Sequence, residues 1–108
     1  MRRTHIGEFE ELIMLTVGIL YDDAYSVAVL EEIMNQTGRS INVSAVHSAL
    51  YRLEDKGFLS SRLGEASATR GGKRKRKFTI SAVGKKVLEE NLALREKMYK
   101  QIPEVALA

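Results

Sequence analysis

The sequence predicts a mainly α-helical fold that carries one small β-hairpin. Apolar residues recur at helical spacing in four segments, and a stretch of alternating residues with a Gly-rich loop separates the third segment from the fourth. The length of 108 residues fits one domain, so we predict a single domain over residues 1–108. A hydrophobic content of 44% with 29% charged residues is ordinary for a globular protein and argues against disorder.

The first helix is predicted over about residues 8–20. Its apolar residues follow one face: Phe9, Leu12, Ile13, Val17 and Leu20. Leu15 and Ile19 widen this face, so we expect the helix to be buried on more than one side. Acidic residues crowd its first turn, where the helix dipole favours them.

The second and third helices are separated by a short polar link. The second is predicted from Ser26, as N-cap, to about Thr37, with Gly38 as its stop. The third is predicted from Val43 to about Lys56, capped by Asn42 and ended by Gly57. Their predicted inward faces are Val27, Leu30, Ile33 and Met34 for the second helix, and Val43, Val46, Leu50 and Leu53 for the third.

A hairpin and a long helix follow. Two strands are predicted over residues 58–63 and 77–80, joined by a loop rich in Gly, Ser, Thr and Ala. Ser81 then caps a fourth helix that reaches roughly to Gln101, before Pro103. This order of elements is that of a winged helix-turn-helix, in which the third helix enters the DNA major groove. We place its core at residues 6–80, its wing at about 58–80 and the last helix at 81–102.

The outer face of the third helix is a candidate DNA-reading surface. It presents short hydroxyls near its first turn, where helix amides favour phosphates, and a histidine and a tyrosine one turn apart. An arginine on the flank is a candidate phosphate contact. The predicted contacts from this helix and its cap are Asn42, Ser44, His47, Ser48, Tyr51 and Arg52.

Positive charge is concentrated in the wing and the start of the last helix. Residues 60–88 hold nine basic residues against the single acid Glu65, while the rest of the chain is net acidic. A cationic strip of this kind attracts polyanions and makes their binding sensitive to salt. Strand alternation directs Lys75 and Lys77 elsewhere, so the predicted wing contacts are Arg70, Gly71, Gly72, Lys73, Arg74 and Arg76.

The fourth helix has more apolar surface than a small core can cover. A long exposed apolar stripe marks an association surface, and a dimer suits a protein that reads a palindrome. We therefore predict a homodimer. The residues assigned to its interface are Phe9, Leu12, Val87, Leu88, Leu92, Leu94, Met98, Tyr99 and Ile102.

Enzymatic and membrane functions find little support. The chain has no cysteine, and its two histidines, His5 and His47, have no metal-ligand or triad spacing. We predict no catalytic residue, no metal site and no cofactor. No apolar run of about 18 residues and no signal-peptide core are present, so we expect a cytoplasmic location and no membrane partner. The basic strip leaves open an RNA-binding or protein-interaction module as the alternative to a DNA-binding regulator.

Several motifs resemble the PadR-like family of winged-helix transcriptional regulators, in particular its short-form members. They are Gly7-Glu8-Phe9-Glu10-Glu11-Leu12, Ala24-Tyr25-Ser26-Val27-Ala28, Asn42-Val43-Ser44-Ala45-Val46-His47, Leu50-Tyr51-Arg52-Leu53-Glu54-Asp55-Lys56-Gly57, Arg70-Gly71-Gly72-Lys73-Arg74-Lys75-Arg76 and Thr79-Ile80-Ser81-Ala82-Val83-Gly84. The resemblance implies a homodimeric repressor whose first and last helices interlock with those of its partner. It also implies release from double-stranded DNA by a small, often aromatic, effector. His47 stands where relatives usually carry tyrosine.

Overall fold

The computed structural model describes residues 5–65 and 74–108, and it confirms a mainly helical fold with one hairpin. Three helices come first: α1 (Glu8–Ile19), α2 (Ser26–Thr37) and α3 (Val43–Asp55). The strands β1 (Leu59–Leu63) and β2 (Arg76–Ile80) follow, then α4 (Ala82–Lys100) and a short 3-10 helix at Glu104–Leu107. The 3-10 helix after Pro103 was not predicted.

The core lies between α1, α2, α3 and the hairpin. Ile13, Met14 and Val17 of α1 pack with Val29 and Ile33 of α2. The buried residues from α3 to the hairpin join them: Val46, Ala49, Leu50, Leu53, Phe58, Leu59 and Phe78. Ile6, Ala24, and Val87 and Leu88 of α4 complete the cluster. The strands pair antiparallel with Leu59 opposite Ile80 and Leu63 opposite Arg76. The carbonyl of Ala24 accepts a hydrogen bond from the Phe78 amide at 2.9 Å, which ties the α1–α2 turn to β2.

Most of the predicted helix boundaries agree with the structure. Asn42 Oδ1 accepts from the Ala45 amide at 2.9 Å, and Ser81 Oγ accepts from the Gly84 amide at 2.9 Å, so these two of the three predicted N-caps are confirmed. Gly38 ends α2 with φ of 72°, and Gly57 follows α3 with φ of 83°. Both glycines occupy the left-handed region that side chains disfavour.

The predicted inward face of α2 was partly wrong. Ile33 is buried, but Val27 and Met34 are 48% and 40% exposed, and Val29 takes a buried position instead. α2 packs against both α1 and α3. Its buried face therefore differs from the single stripe of apolar residues that was predicted. Ser26 is the first helical residue, and Tyr25 occupies the N-cap position.

Two other expectations about apolar side chains need correction. Val43 begins α3 beyond the edge of the core and is 42% exposed, although Val46, Leu50 and Leu53 are buried as predicted. Ile19, which was expected to widen the buried face of α1, is 58% exposed at the end of that helix. Both residues lie at helix ends, where the neighbouring elements no longer cover the side chain.

The first turns of α4 are docked on the link between α3 and β1. Ser81 Oγ donates to the Gly57 carbonyl at 2.6 Å, and the Ser81 amide donates to the Phe58 carbonyl at 3.1 Å. Beyond Leu88 the helix leaves the core, and its residues from Leu92 onward are exposed. This projection contributes to the elongated extents of 60 × 34 × 20 Å.

Candidate nucleic-acid interface

Packing of α3 decides which of its side chains reach solvent. Because Val46, Ala49, Leu50 and Leu53 are buried, the opposite face is left open. The exposed residues include every predicted contact on this helix and its cap: Asn42, Ser44, His47, Ser48, Tyr51 and Arg52. The structure therefore brings these residues onto one accessible surface, and their contacts with DNA remain a prediction.

His47 is held by neighbours from two other elements. Its Nδ1 lies 3.1 Å from Ser26 Oγ at the start of α2. Its ring packs against Tyr51 with centroids 4.7 Å apart, and Tyr51 meets the edge of Phe78 on β2 at 5.6 Å. Within the residues that the structure describes, the other ring nitrogen of His47 makes no hydrogen bond. That nitrogen is therefore the one offered to an incoming ligand.

A groove lies between α3 and the hairpin. Its volume is about 180 Å³, and its walls come from α3, the start of α2 and the second strand. The lining residues are Tyr25, Ser26, Val27, His47, Tyr51, Lys75, Arg76 and Phe78. The groove thus combines an aromatic floor with two cations at its hairpin side, which suits a ligand that has both apolar and anionic parts.

Five residues of this groove were absent from the predicted site: Tyr25, Ser26, Val27, Lys75 and Phe78. Lys75 was expected to face away, but it precedes β2, so the alternation of strand side chains does not govern it. Its ammonium lies 3.9 Å from the centre of the Tyr25 ring, a cation–π contact. One indication of where Tyr25 lies was present in the sequence, because this residue directly precedes the second helix.

The cations of the hairpin fall into two groups. Near its base, Arg62 pairs with Asp22 at 2.6 Å, and Lys77 lies 3.6 Å from the carboxylate of Asp23. These acids belong to the α1–α2 turn, and they neutralise much of that side of the hairpin. Lys77 therefore points away from the groove, as strand alternation suggested.

The second group has no acidic partner in the described part of the chain. It comprises Arg74, Lys75 and Arg76. Arg74 Nε donates to the Gly64 carbonyl at 2.8 Å, and Arg76 donates to Ser61 Oγ at 2.9 Å. These are neutral acceptors, so all three cations keep their full charge for an anionic ligand. The other predicted wing contacts, Arg70, Gly71, Gly72 and Lys73, lie outside the described residues.

Arg52 belongs to an ion-pair cluster between α1 and α3. Its Nε donates to Glu10 Oε2 at 2.8 Å, and Lys56 Nζ approaches the same oxygen at 3.0 Å. Burial alone would raise the pKa of Glu10, but hydrogen bonds from Arg52, the Gly7 amide and Lys56 outweigh it and lower the pKa to about 2. Arg52 was among the predicted contacts, but Glu10 was not. In the sequence, Glu10 is one of several acidic residues in the first turn of α1, and nothing there indicates its contact with α3.

The proposed association surface is smaller than the sequence suggested. Val87 is 1% exposed and Leu88 is 9% exposed, because both pack into the core of their own chain. They are therefore not available to a second copy, and this part of the prediction was wrong. Phe9 and Leu12 on α1 are half-buried. The exposed residues of the predicted set are Leu92, Leu94, Met98, Tyr99 and Ile102.

An ion pair fixes α4 beside α1. Arg95 donates to Glu11 Oε2 at 2.8 Å, and the Glu11 side chain is 11% exposed. Two adjacent acids of α1 thus form ion pairs with different helices: Glu10 with α3 and Glu11 with α4. Past the predicted surface, Val105 and Leu107 add exposed apolar side chains that sequence reasoning did not include.

Neither a metal site nor a membrane span is found in the described ranges. Over residues 5–65 and 74–108, no three His, Asp or Glu side chains are grouped so that they could hold a metal ion. In the same ranges, no helix combines the length and the apolar character needed to span a bilayer.

Three helices followed by a two-stranded hairpin, with α3 exposed beside that hairpin, define a winged helix-turn-helix protein. Its fold is that of the PadR-like transcriptional regulators, as the solved structures below show. The resemblance inferred from the motifs is therefore confirmed at the level of the fold.

Structural comparison finds several solved transcriptional regulators with this fold. A PadR-like transcription factor from Bacteroides fragilis superposes with a TM-score of 0.71 at 18% identity, over 90% of this chain and 88% of that one. A transcriptional regulator from Clostridium thermocellum gives 0.67 at 25% identity, over 84% and 85% of the two chains. A PadR family transcriptional regulator from Eggerthella lenta gives 0.67 at 23% identity, over 92% and 86%. No protein-family model and no curated protein sequence matches the chain.

Proposed function

We propose that the protein is a PadR-like transcriptional regulator that binds double-stranded DNA in a sequence-specific manner as a homodimer and represses transcription. One observation carries the proposal: two residues of the exposed face of α3, His47 and Tyr51, line the same groove as two hairpin cations, Lys75 and Arg76, that have no acidic partner in residues 5–65 and 74–108. A reading helix beside a cationic wing is the arrangement by which winged helices contact base edges and backbone together.

The two parts of the site have different tasks. His47 and Tyr51 stand on the exposed face of α3, where they reach base edges or thymine methyl groups in the major groove. Arg74, Lys75 and Arg76, which no acid of the described ranges neutralises, lie on the hairpin and contact phosphates. Base contacts therefore determine preference among sequences, whereas the wing determines general affinity and its dependence on salt.

Dimerisation follows from the apolar side chains of α4. Leu94 and Met98 recur at i and i+4 on α4 and are 54% and 61% exposed. Ile102, just beyond the end of the helix, is 39% exposed. A second copy would cover this stripe and would place two reading helices about 34–36 Å apart, one turn of DNA. The proposed operator is accordingly a palindrome.

A matched pair of variants tests the dimer. The double variant L94E/M98E puts two carboxylates into the stripe, whereas A93E adds a carboxylate outside it, about 100° around α4 from Leu94. Sedimentation velocity should show a monomer for the first and a dimer for the second and the wild type. A monomeric wild type, or a dimeric L94E/M98E variant, would contradict the proposed interface.

The proposed effector is a small aromatic molecule that binds at the dimer interface. In the described part of a single subunit, the apolar pocket between α1 and α2 measures about 110 Å³. Ligand pockets usually enclose roughly 300–1,000 Å³, so a second subunit would have to contribute. A thermal-shift screen of aromatic compounds should find ligands that stabilise the protein and lower its affinity for DNA. The absence of any such compound in a broad screen would argue against the effector.

DNA binding itself is tested by selection from a random duplex library, followed by fluorescence anisotropy at about 0.15 M salt. The expected result is an enriched palindrome that the protein binds at least about 10³-fold more tightly than random duplex, as specific regulators do. Equal affinity for all duplexes would contradict the proposal. Stronger binding to a structured RNA or to an acidic protein would favour the alternative interaction module.

A further inference from the structure

Glu10 lies in the first turn of α1, yet its carboxylate is directed at the proposed reading helix. The side chain is only 9% exposed. Oε2 accepts from Arg52 Nε at 2.8 Å and from Lys56 Nζ at 3.0 Å, and Oε1 accepts from the Gly7 amide at 2.9 Å. Donors on two elements therefore fix both carboxylate oxygens, and Glu10 offers α3 a rigid acceptor.

Arg52 uses one side of its guanidinium for this contact. The planar group carries five N–H donors in a fixed fork, so fixing Nε also fixes the plane of the two terminal nitrogens. Neither of those nitrogens makes a hydrogen bond within residues 5–65 and 74–108, and the side chain is 49% exposed. Arg52 is next to Tyr51 and one helical turn beyond Ser48, so its free nitrogens border the exposed face of α3.

We propose that Glu10 is a positioning residue for DNA binding: it holds the Arg52 guanidinium so that the two terminal nitrogens receive a phosphate of the DNA backbone. The inference rests on the proposed DNA-binding function and adds a residue outside the DNA-facing surface. A guanidinium that is already ordered loses less conformational freedom on binding and can bind phosphate through two parallel hydrogen bonds.

Charge and positioning predict opposite changes in DNA affinity when Glu10 is replaced. Glu10 is a negative charge near the proposed DNA surface, so an effect on charge alone would make its removal strengthen the binding of every duplex. Positioning instead requires that its removal weaken binding, although the net charge of the protein becomes more positive by one. The direction of the change therefore separates the two roles.

The experiment measures dissociation constants by fluorescence anisotropy for the full chain and the duplex that the wild type selects. The variants are E10Q, R52A, the double variant E10Q/R52A, and the control E8Q. Glu8 also lies in the first turn of α1, but its partner is Arg39 in the α2–α3 link, and in the described residues it makes no hydrogen bond or ion pair with α3. We expect E10Q to weaken binding about tenfold, the scale of one charge-assisted phosphate contact. E8Q should not weaken binding, and E10Q should cost nothing further in the R52A background.

R52K provides a second route if E10Q folds poorly in a thermal melt. Lysine keeps the charge, but its single ammonium cannot hold Glu10 and a phosphate in the fixed geometry of a guanidinium, so a loss of several-fold is expected. Unchanged or tighter binding by E10Q, or a loss that persists in the R52A background, would overturn the inference. Wild-type affinity in R52K would do the same. A wild type that prefers no duplex would instead refute the proposed function.

Discussion

The Nδ1 atom of His47 lies 3.1 Å from the hydroxyl oxygen of Ser26, so the first residue of α2 restrains a side chain on α3. The restraint is extended by Tyr51, whose ring packs between His47 and Phe78. A side chain with a defined orientation discriminates between base pairs better than a mobile one, because less conformational freedom is lost when it binds.

Ser26→Ala should reduce the preference for the selected duplex. Loss of the hydroxyl frees the His47 ring, and we expect the ratio of specific to random affinity to fall about three-fold, the scale of one exposed hydrogen bond. The thermal melting temperature should be unchanged, since both side chains are accessible. Anisotropy with selected and scrambled duplexes provides the measurement. Ser60→Ala is the control, because it removes an exposed hydroxyl whose hydrogen-bond partner is Thr79 on the hairpin. An equal effect of both variants would rule out the restraint.

The double variant R74A/R76A should weaken binding to every duplex alike. Neither arginine has an acidic partner in the described ranges, so both are available to phosphates. The slope of log K against log salt should become shallower by about 0.9 for each phosphate that the variant no longer neutralises. Titrations at several salt concentrations measure the slope. Arg62→Ala is the matched control, since Asp22 already neutralises that guanidinium. The prediction is wrong if R62A flattens the slope as much.

Gly84→Ala should destabilise the fold strongly. A Cβ at Gly84 would lie 2.0 Å from the carbonyl oxygen of Phe58, and this backbone also binds the Ser81 amide. Because backbone has little room to shift, we expect a loss of about 3 kcal/mol in the free energy of unfolding, at the upper end for overpacking. Urea denaturation gives the value.

Gly18→Ala is the control for that substitution. Its added Cβ would lie 3.1 Å from the flexible end of Ile80, and alanine favours the helix. The change in the free energy of unfolding should therefore stay within about 1 kcal/mol. A similar loss in both variants would show that the approach of α4 to Phe58 has no special role.

The pKa of Glu10 predicts a dependence of stability on acid. Its value of about 2 in the folded protein is below the ordinary 4.5, so its ion pairs stabilise the fold fully above pH 4.5. This contribution, roughly 3 kcal/mol, is lost as the pH falls from 4.5 toward 2. Urea denaturation at about pH 7, 5, 4 and 3 should show the wild type losing more stability than E10Q. Parallel losses in the two proteins would contradict this assignment.

Local features of the sequence were sufficient for the elements themselves. Asn42 and Ser81 cap helices because a short side-chain oxygen reaches a free amide within the same turn. Gly38 ends α2 because it adopts a positive φ that other residues avoid. The exposed face of α3 followed from the period of its apolar residues, and the hairpin followed from the change of that period.

Predictions that depended on the number of neighbouring elements were less accurate. Val27 and Met34 were assigned to one face with Ile33 by spacing, yet Ile33 is buried and the other two are exposed. Val87 and Leu88 have the spacing of an association stripe, but the docking of Ser81 on Gly57 brings them into the core. Spacing along a helix shows which residues share a side, and the neighbours on that side depend on the other elements.

The sequence by itself determined the order of helices and strands, the outer face of α3 and the concentration of charge in the wing. These three features depend on residues close together in the chain, so the composition and the spacing of apolar residues are enough to predict them. Only the tertiary structure decided that Glu10 would hold Arg52, that Asp22 would neutralise Arg62 and that Lys75 would line the groove. Such contacts join residues far apart in the chain, and their geometry arises only when the helices and the hairpin pack together.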